Sequence, residues 1–102
     1  MATLNVSWIL PTTRESGKPL AVSEIADVEV FISADLGLHY TSLNKFPPTV
    51  LNTRTQELEP GEWRFRGIVH DKNGRVSKPV DRTFVVADTT NPSALTDLVL
   101  TL

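Results

Sequence analysis

Apolar and polar residues alternate in short runs along this chain, and the runs end at Pro, Gly, Asn or Asp. That period of two predicts β-strands, and no stretch sustains a helical period of 3.6 for three turns. The first run, residues 3–10, sets Leu4, Val6 and Trp8 on one face and Asn5 and Ser7 on the other, and Pro11 ends it. Residues 12–19, TTRESGKP, are polar and carry Gly17 and Pro19, which predicts a connecting loop. Alternation returns at residues 27–33, with Val28, Val30 and Ile32 opposite Asp27, Glu29 and Phe31. Residues 34–49 are broken by Gly37, Asn44 and Pro47-Pro48, so only short edge strands fit there. A further strand is expected within residues 49–56.

The clearest signals come later. Leu58-Glu59-Pro60-Gly61 makes a tight turn, because Pro presets one backbone angle and Gly permits positive φ. The strand that follows, residues 63–71, turns Trp63, Phe65, Gly67 and Val69 inward and Arg64, Arg66, Ile68 and His70 outward. Asp71-Lys72-Asn73-Gly74 then predicts a hairpin with a type I′ turn. The return strand runs from about Arg75, is interrupted by Pro79, and continues over residues 82–87. Pro79 supplies no ladder donor, so this strand belongs at a sheet edge or carries a bulge. The expected core is Trp8, Val28, Val30, Trp63 and Phe65.

Length and composition narrow the function classes. A chain of 102 residues with 40% apolar and 22% charged residues encloses one core and has the make-up of an ordinary folded domain. A formal charge of −2 gives no attraction to a phosphate backbone or an anionic membrane, so neither nucleic acid nor a membrane is an expected partner. With no cysteine, disulfides and thiolate chemistry are impossible and packing alone holds the fold. Residues 1–10 lack the basic stretch and apolar run of a secretory signal, and no run of about 18 apolar residues occurs, so synthesis in a host cytoplasm is expected.

Three stretches together resemble a fibronectin type III domain over most of the chain. Val6-Ser7-Trp8 followed by Pro11 resembles that family's second strand, with Trp8 as its core tryptophan. Leu58-Glu59-Pro60-Gly61-Glu62-Trp63-Arg64-Phe65-Arg66 resembles the turn and start of its sixth strand, and residues 71–79, DKNGRVSKP, the hairpin into its seventh. Trp63 stands where the family usually has a tyrosine whose hydroxyl bonds back to the chain. Residues 8–20 are similar to versions of the domain in bacterial and bacteriophage proteins. The resemblance implies an all-β, immunoglobulin-like sandwich over residues 1–87. It also implies a non-catalytic role as a virion component, either capsid decoration or a tail accessory protein, with other virion proteins as partners.

In that family a first strand precedes the tryptophan strand, whereas here the corresponding sequence stands at the other end. After a linker, residues 88–93, comes Ala94-Leu95-Thr96-Asp97-Leu98-Val99-Leu100-Thr101-Leu102, which resembles the opening strand of a following domain. Leu98, Leu100 and Leu102 share one face with Leu95 nearby, and each leucine gains about 1.5 to 3 kcal/mol from burial. The six-residue linker reaches at most about 20 Å, and a strand of seven to ten residues spans roughly 23 to 33 Å. Folding back is therefore strained, and residues 94–102 are expected to be donated to a neighbouring subunit; the alternatives are an eighth, edge strand on the chain's own domain and the stub of a longer chain. Such a head-to-tail contact closes into a ring or grows into a fibre, and a trimer is the expected ring.

The sequence carries no pattern for a cofactor, a metal or catalysis. His39 and His70 have no second ligand at metal-like spacing and read as solvated surface histidines. Asp27 and Glu29 read as a solubilising outer face, and Ser7, Ser16 and Ser77 lie outside any nucleophile-elbow motif. Arg64 and Arg66 are expected to pair across strands with Glu29. The alternative is a carbohydrate-binding or spacer module of a secreted glycoside hydrolase, with an exposed aromatic such as Tyr40 or Phe46 as sugar platform.

Overall fold

The apolar faces set by alternation become the inner faces of two antiparallel sheets. The structure, a computed structural model, describes residues 2–88 and 91–102; Thr89 and Thr90, within the expected linker, lie outside the described residues. Its elements in chain order are β1 (Asn5–Ser7), a short 3₁₀ turn (Val22–Glu24), β2 (Ile25–Ser33), β3 (Thr41–Phe46), β4 (Asn52–Arg54), β5 (Gly61–Asp71) and β6 (Val80–Val86). One sheet has the order β3-β2-β5-β6, and the other is the pair β1-β4. Leu58, Phe65 and Val86 form the buried centre between them, flanked by Leu4 and Val6 from one sheet and Ile32 and Trp63 from the other. The arrangement is all-β and compatible with a β-sandwich.

Alternation places the expected core on the inner side. Val28, Val30 and Phe65 are buried. Trp8 and Trp63 are half-buried, with Trp8 tilted against Phe46 at a ring separation of 5.1 Å. Register pairs Val28 with Val69, Val30 with Gly67 and Ile32 with Phe65, so these residues share the inner face. β3 is an edge strand, as expected for the irregular middle, and a bulge between Val30 and Phe31 resets its pairing with β2.

The hairpin after β5 differs from the sequence expectation. A type I′ turn needs positive φ at both central residues, yet Gly74 at φ 84° is the only residue of the turn in that region. Gly74 N–H donates to the Asp71 carbonyl at 3.2 Å and Asp71 N–H to the Arg75 carbonyl at 2.9 Å, the geometry of a type I turn closed by a glycine bulge. The cause is the Asp71 carboxylate, which accepts from the Asn73 and Arg75 N–H groups at 2.9 and 2.8 Å and so stabilises the three-residue loop.

The return strand also starts later than expected. His70 bridges Val76 and Gly67 pairs with Val80, which leaves one extra residue on the returning chain within residues 77–79, the stretch that holds Pro79. The proline therefore sits in a bulge ahead of an edge strand, where no donor is required. Residues 12–19 form a small hairpin of their own, closed by a Thr13–Pro19 bridge. Its Arg14 joins Glu24 at 2.7 Å and Asp71 at 3.1 Å.

Candidate functional site

Four strands at about 4.8 Å spacing make a wider layer than two, so the β1-β4 pair cannot cover the whole inner face of the larger sheet. The uncovered part lies along β6. Register pairs Phe84 with Trp63 and Val80 with Gly67, so Val80, Arg82 and Phe84 point to the inner side together with buried Val86. Val86 is capped by Leu58 and the start of the chain, whereas Phe84 and Val80 remain 48% and 55% exposed. Between them and β1 runs an open groove of about 390 Å³, walled by Leu4, Val6 and Trp8 on one side and floored by Val28 and Val30.

The β1 wall is also an open sheet edge, since β1 pairs with β4 alone among the described residues. Leu4 C=O accepts from Thr55 N–H and Trp8 N–H donates to Leu51 C=O. Even-numbered residues therefore spend their backbone groups on β4, and Asn5 and Ser7 direct theirs toward the free edge. Trp8 contributes a further polar group, because its Nε1 is buried with no acceptor among the described residues.

The residues expected to mediate self-association lie away from this groove. Leu95, Leu98 and Leu100 are 77%, 75% and 88% exposed, and Leu102 is fully exposed. Residues 91–102 make no ladder with the body. A radius of gyration of 20.2 Å and a longest dimension of 81 Å compare with about 13 Å expected for the radius of a compact domain of this length, and the projecting tail accounts for the difference.

The outer face of the larger sheet holds the charged residues noted in the sequence, with different partners. Glu29 stands opposite Ile68 and accepts from Ser42 Oγ at 2.8 Å, so it pairs with neither Arg64 nor Arg66. Arg66 instead makes a two-pronged bond to Asp81 at 2.8 and 3.0 Å and lies 4.4 Å over the Tyr40 ring. Asp81 is held below the ordinary carboxylate range chiefly by that arginine.

His70 is not a solvated histidine: it is half-buried, with Nδ1 2.6 Å from Asp27 and Nε2 4.0 Å from Glu29. Both ring nitrogens thus face carboxylates, which makes a cross-strand polar cluster and not a relay to a hydroxyl nucleophile. His39 is exposed and bonds Asp35 at 2.7 Å. Asp35 lies well below the usual carboxylate range because the Ser33 hydroxyl, then His39, donate to it.

Among the described residues no group of three or more His, Cys, Asp or Glu could hold a metal ion, and no helix is long and apolar enough to cross a membrane. No family model matches the chain, and no curated protein or solved structure matches it either.

Proposed function

We propose that this chain is a non-catalytic structural protein that assembles with copies of itself through its C-terminal strand. Its body is read as a fibronectin type III sandwich. The observation that carries the assembly is the alternating leucine stripe of residues 94–102, which stands in solvent beside a body with an open apolar face. Leaving such a stripe exposed is unfavourable in water, and a neighbouring chain is the ready means of covering it.

The fold part of the reading has two supports. The order β3-β2-β5-β6 facing β1-β4 is compatible with the family's arrangement, with no counterpart of its first strand in the smaller sheet among the described residues. Trp63 Nε1 also donates to the Glu59 carbonyl, four residues upstream, at 2.9 Å, so an indole makes the return bond that a tyrosine hydroxyl makes in the family. The setting in a virus particle, as capsid decoration or tail accessory protein, rests on the sequence resemblance of residues 8–20.

The carbohydrate-binding reading has less to support it. The Tyr40 ring is covered by the Arg66 guanidinium and Phe46 is packed against Trp8, so neither offers a free platform.

Light scattering across a concentration series tests the assembly. The intact chain is expected at a stable multiple of 11.3 kDa, and deletion of residues 94–102 reduces it to the monomer. An intact chain that stays monomeric overturns the proposal.

A further inference from the structure

We infer that the groove between β1 and β6 is the acceptor for residues 98–102 of a second copy, which adds as a strand antiparallel to β1. This rests on the self-assembly proposed above and specifies where and in which direction the strand binds.

Length and pattern match on both walls. The groove is bounded by the five residues 4–8 on one side and by Val80, Arg82, Thr83 and Phe84 on the other, and five residues of extended chain span about 16 Å. Residues 98–102 are also five, with leucines at the first, third and fifth positions. An antiparallel strand in that groove sets Leu98, Leu100 and Leu102 beside Trp8, Val6 and Leu4. It also brings Val99 and Thr101 opposite Ser7 and Asn5, the two residues of β1 whose backbone groups face the free edge. Those become hydrogen-bonded pairs, and the exposed inner side of Val80 and Phe84 is covered by the same leucines.

Direction and source follow from where the tail leaves the body. Val86 shares a buried cluster with Leu58, against which Ala2 and Leu4 pack, and Ala2 bridges Leu58, so the chain exits β6 at the pole where β1 begins. The antiparallel strand must enter at the other pole, near Trp8 and Val80. A chain filling its own groove would first have to run back along the whole of it, whereas a copy stacked head to tail enters directly. The tail in this structure projects outward and does not return.

The chain has no cysteine, so single cysteines report contacts without background. Full-length Asn5→Cys mixed with full-length Thr101→Cys is expected to form an intermolecular disulfide under mild oxidation, since hydrogen-bonded partners lie about 5.5 Å apart at Cα, within bonding range. Ser7→Cys with Thr101→Cys, the pair a parallel strand would favour, is expected to give at most a minor product. A dominant Ser7–Thr101 product overturns the direction. In a chain carrying both N5C and T101C, a cross-link within the monomer in place of one between chains overturns the second copy as the source. Absence of any cross-link in an assembly that light scattering still detects overturns the groove while leaving self-assembly standing.

A complementation experiment gives an independent readout on full-length chains. Phe84→Asp blocks the acceptor at a half-exposed position, and Leu98→Asp with Leu100→Asp blocks the donor at exposed ones. Each alone is expected to be monomeric, and the mixture to form a one-to-one dimer that grows no further. A mixture of folded variants that remains monomeric overturns the inference.

Discussion

At the residue scale, stability is concentrated in few side chains. Leu58 is 4% exposed and belongs to the buried cluster with Phe65 and Val86, against which Ala2, Leu4 and Trp63 pack. Leu58→Ala leaves a cavity that no neighbour can fill without moving a strand, and is expected to cost about 2 to 5 kcal/mol. Ile9 is 97% exposed, and Ile9→Ala is expected to change stability by less than about 0.5 kcal/mol. Urea titration of both variants checks the contrast. Asp71 acts electrostatically. Its carboxylate is held below the ordinary range by the Arg75 N–H first and by the Arg14 guanidinium next. A carboxylate whose folded pKa lies below its unfolded value of about 3.9 stabilises the fold above that pH, and the contribution is lost as pH falls through the folded value. Melting temperature is therefore expected to fall as the solution is acidified below about pH 4. Asp71→Asn is expected to melt lower than the parent at neutral pH and to lose less on acidification, and a decline as steep as the parent's would exclude Asp71 as a contributor.

At the scale of elements, the phase of each strand was legible in the sequence because side-chain alternation has a fixed period of two. Val28 and Val30 point inward on β2 and Asn5 and Ser7 outward on β1, as their spacing implies. The pairing between strands was not legible. Glu29 meets Ile68 and not an arginine because the β2–β5 register sets Arg66 opposite Phe31, and a two-residue change of register keeps every side chain on the same face, so alternation alone does not distinguish the two. The turn after β5 departs from the Asn-Gly expectation for a local reason: Asn-Gly favours one turn geometry, but the Asp71 side chain two residues earlier satisfies the backbone of another. Trp63 anchors the entry to β5 through its side chain. Its indole bond to Glu59 fixes the chain entering β5, and Trp63→Phe keeps an aromatic ring, though a smaller one, while removing the donor. The expected loss is about 0.5 to 1.5 kcal/mol, measured by the same titration, and an unchanged midpoint would show that the bond contributes nothing net.

At the scale of the whole molecule, the two halves of the candidate site were unequally legible. The leucine stripe could be read directly from spacing in residues 94–102, but the proposed acceptor is a gap between β1 and β6, more than 70 positions apart in the chain, and exists only once both sheets are formed. The proposed pairing would stabilise the folded body. A domain this small with an uncovered inner face is marginal, and a ligand that binds only the folded state raises stability by mass action. A synthetic peptide of residues 94–102 added to the donor-blocked variant L98D/L100D is expected to raise its melting temperature progressively. At one hundred times its Kd the gain is about 2.7 kcal/mol, which for a domain of this size is on the order of 10 to 20 °C. A peptide of the same composition with the leucine alternation broken is expected to give no shift, because its apolar side chains cannot all face the groove while its backbone pairs with Asn5 and Ser7. Equal shifts from both peptides would mean that the stripe acts as a hydrophobic patch without register, and strand addition would then give way to nonspecific association.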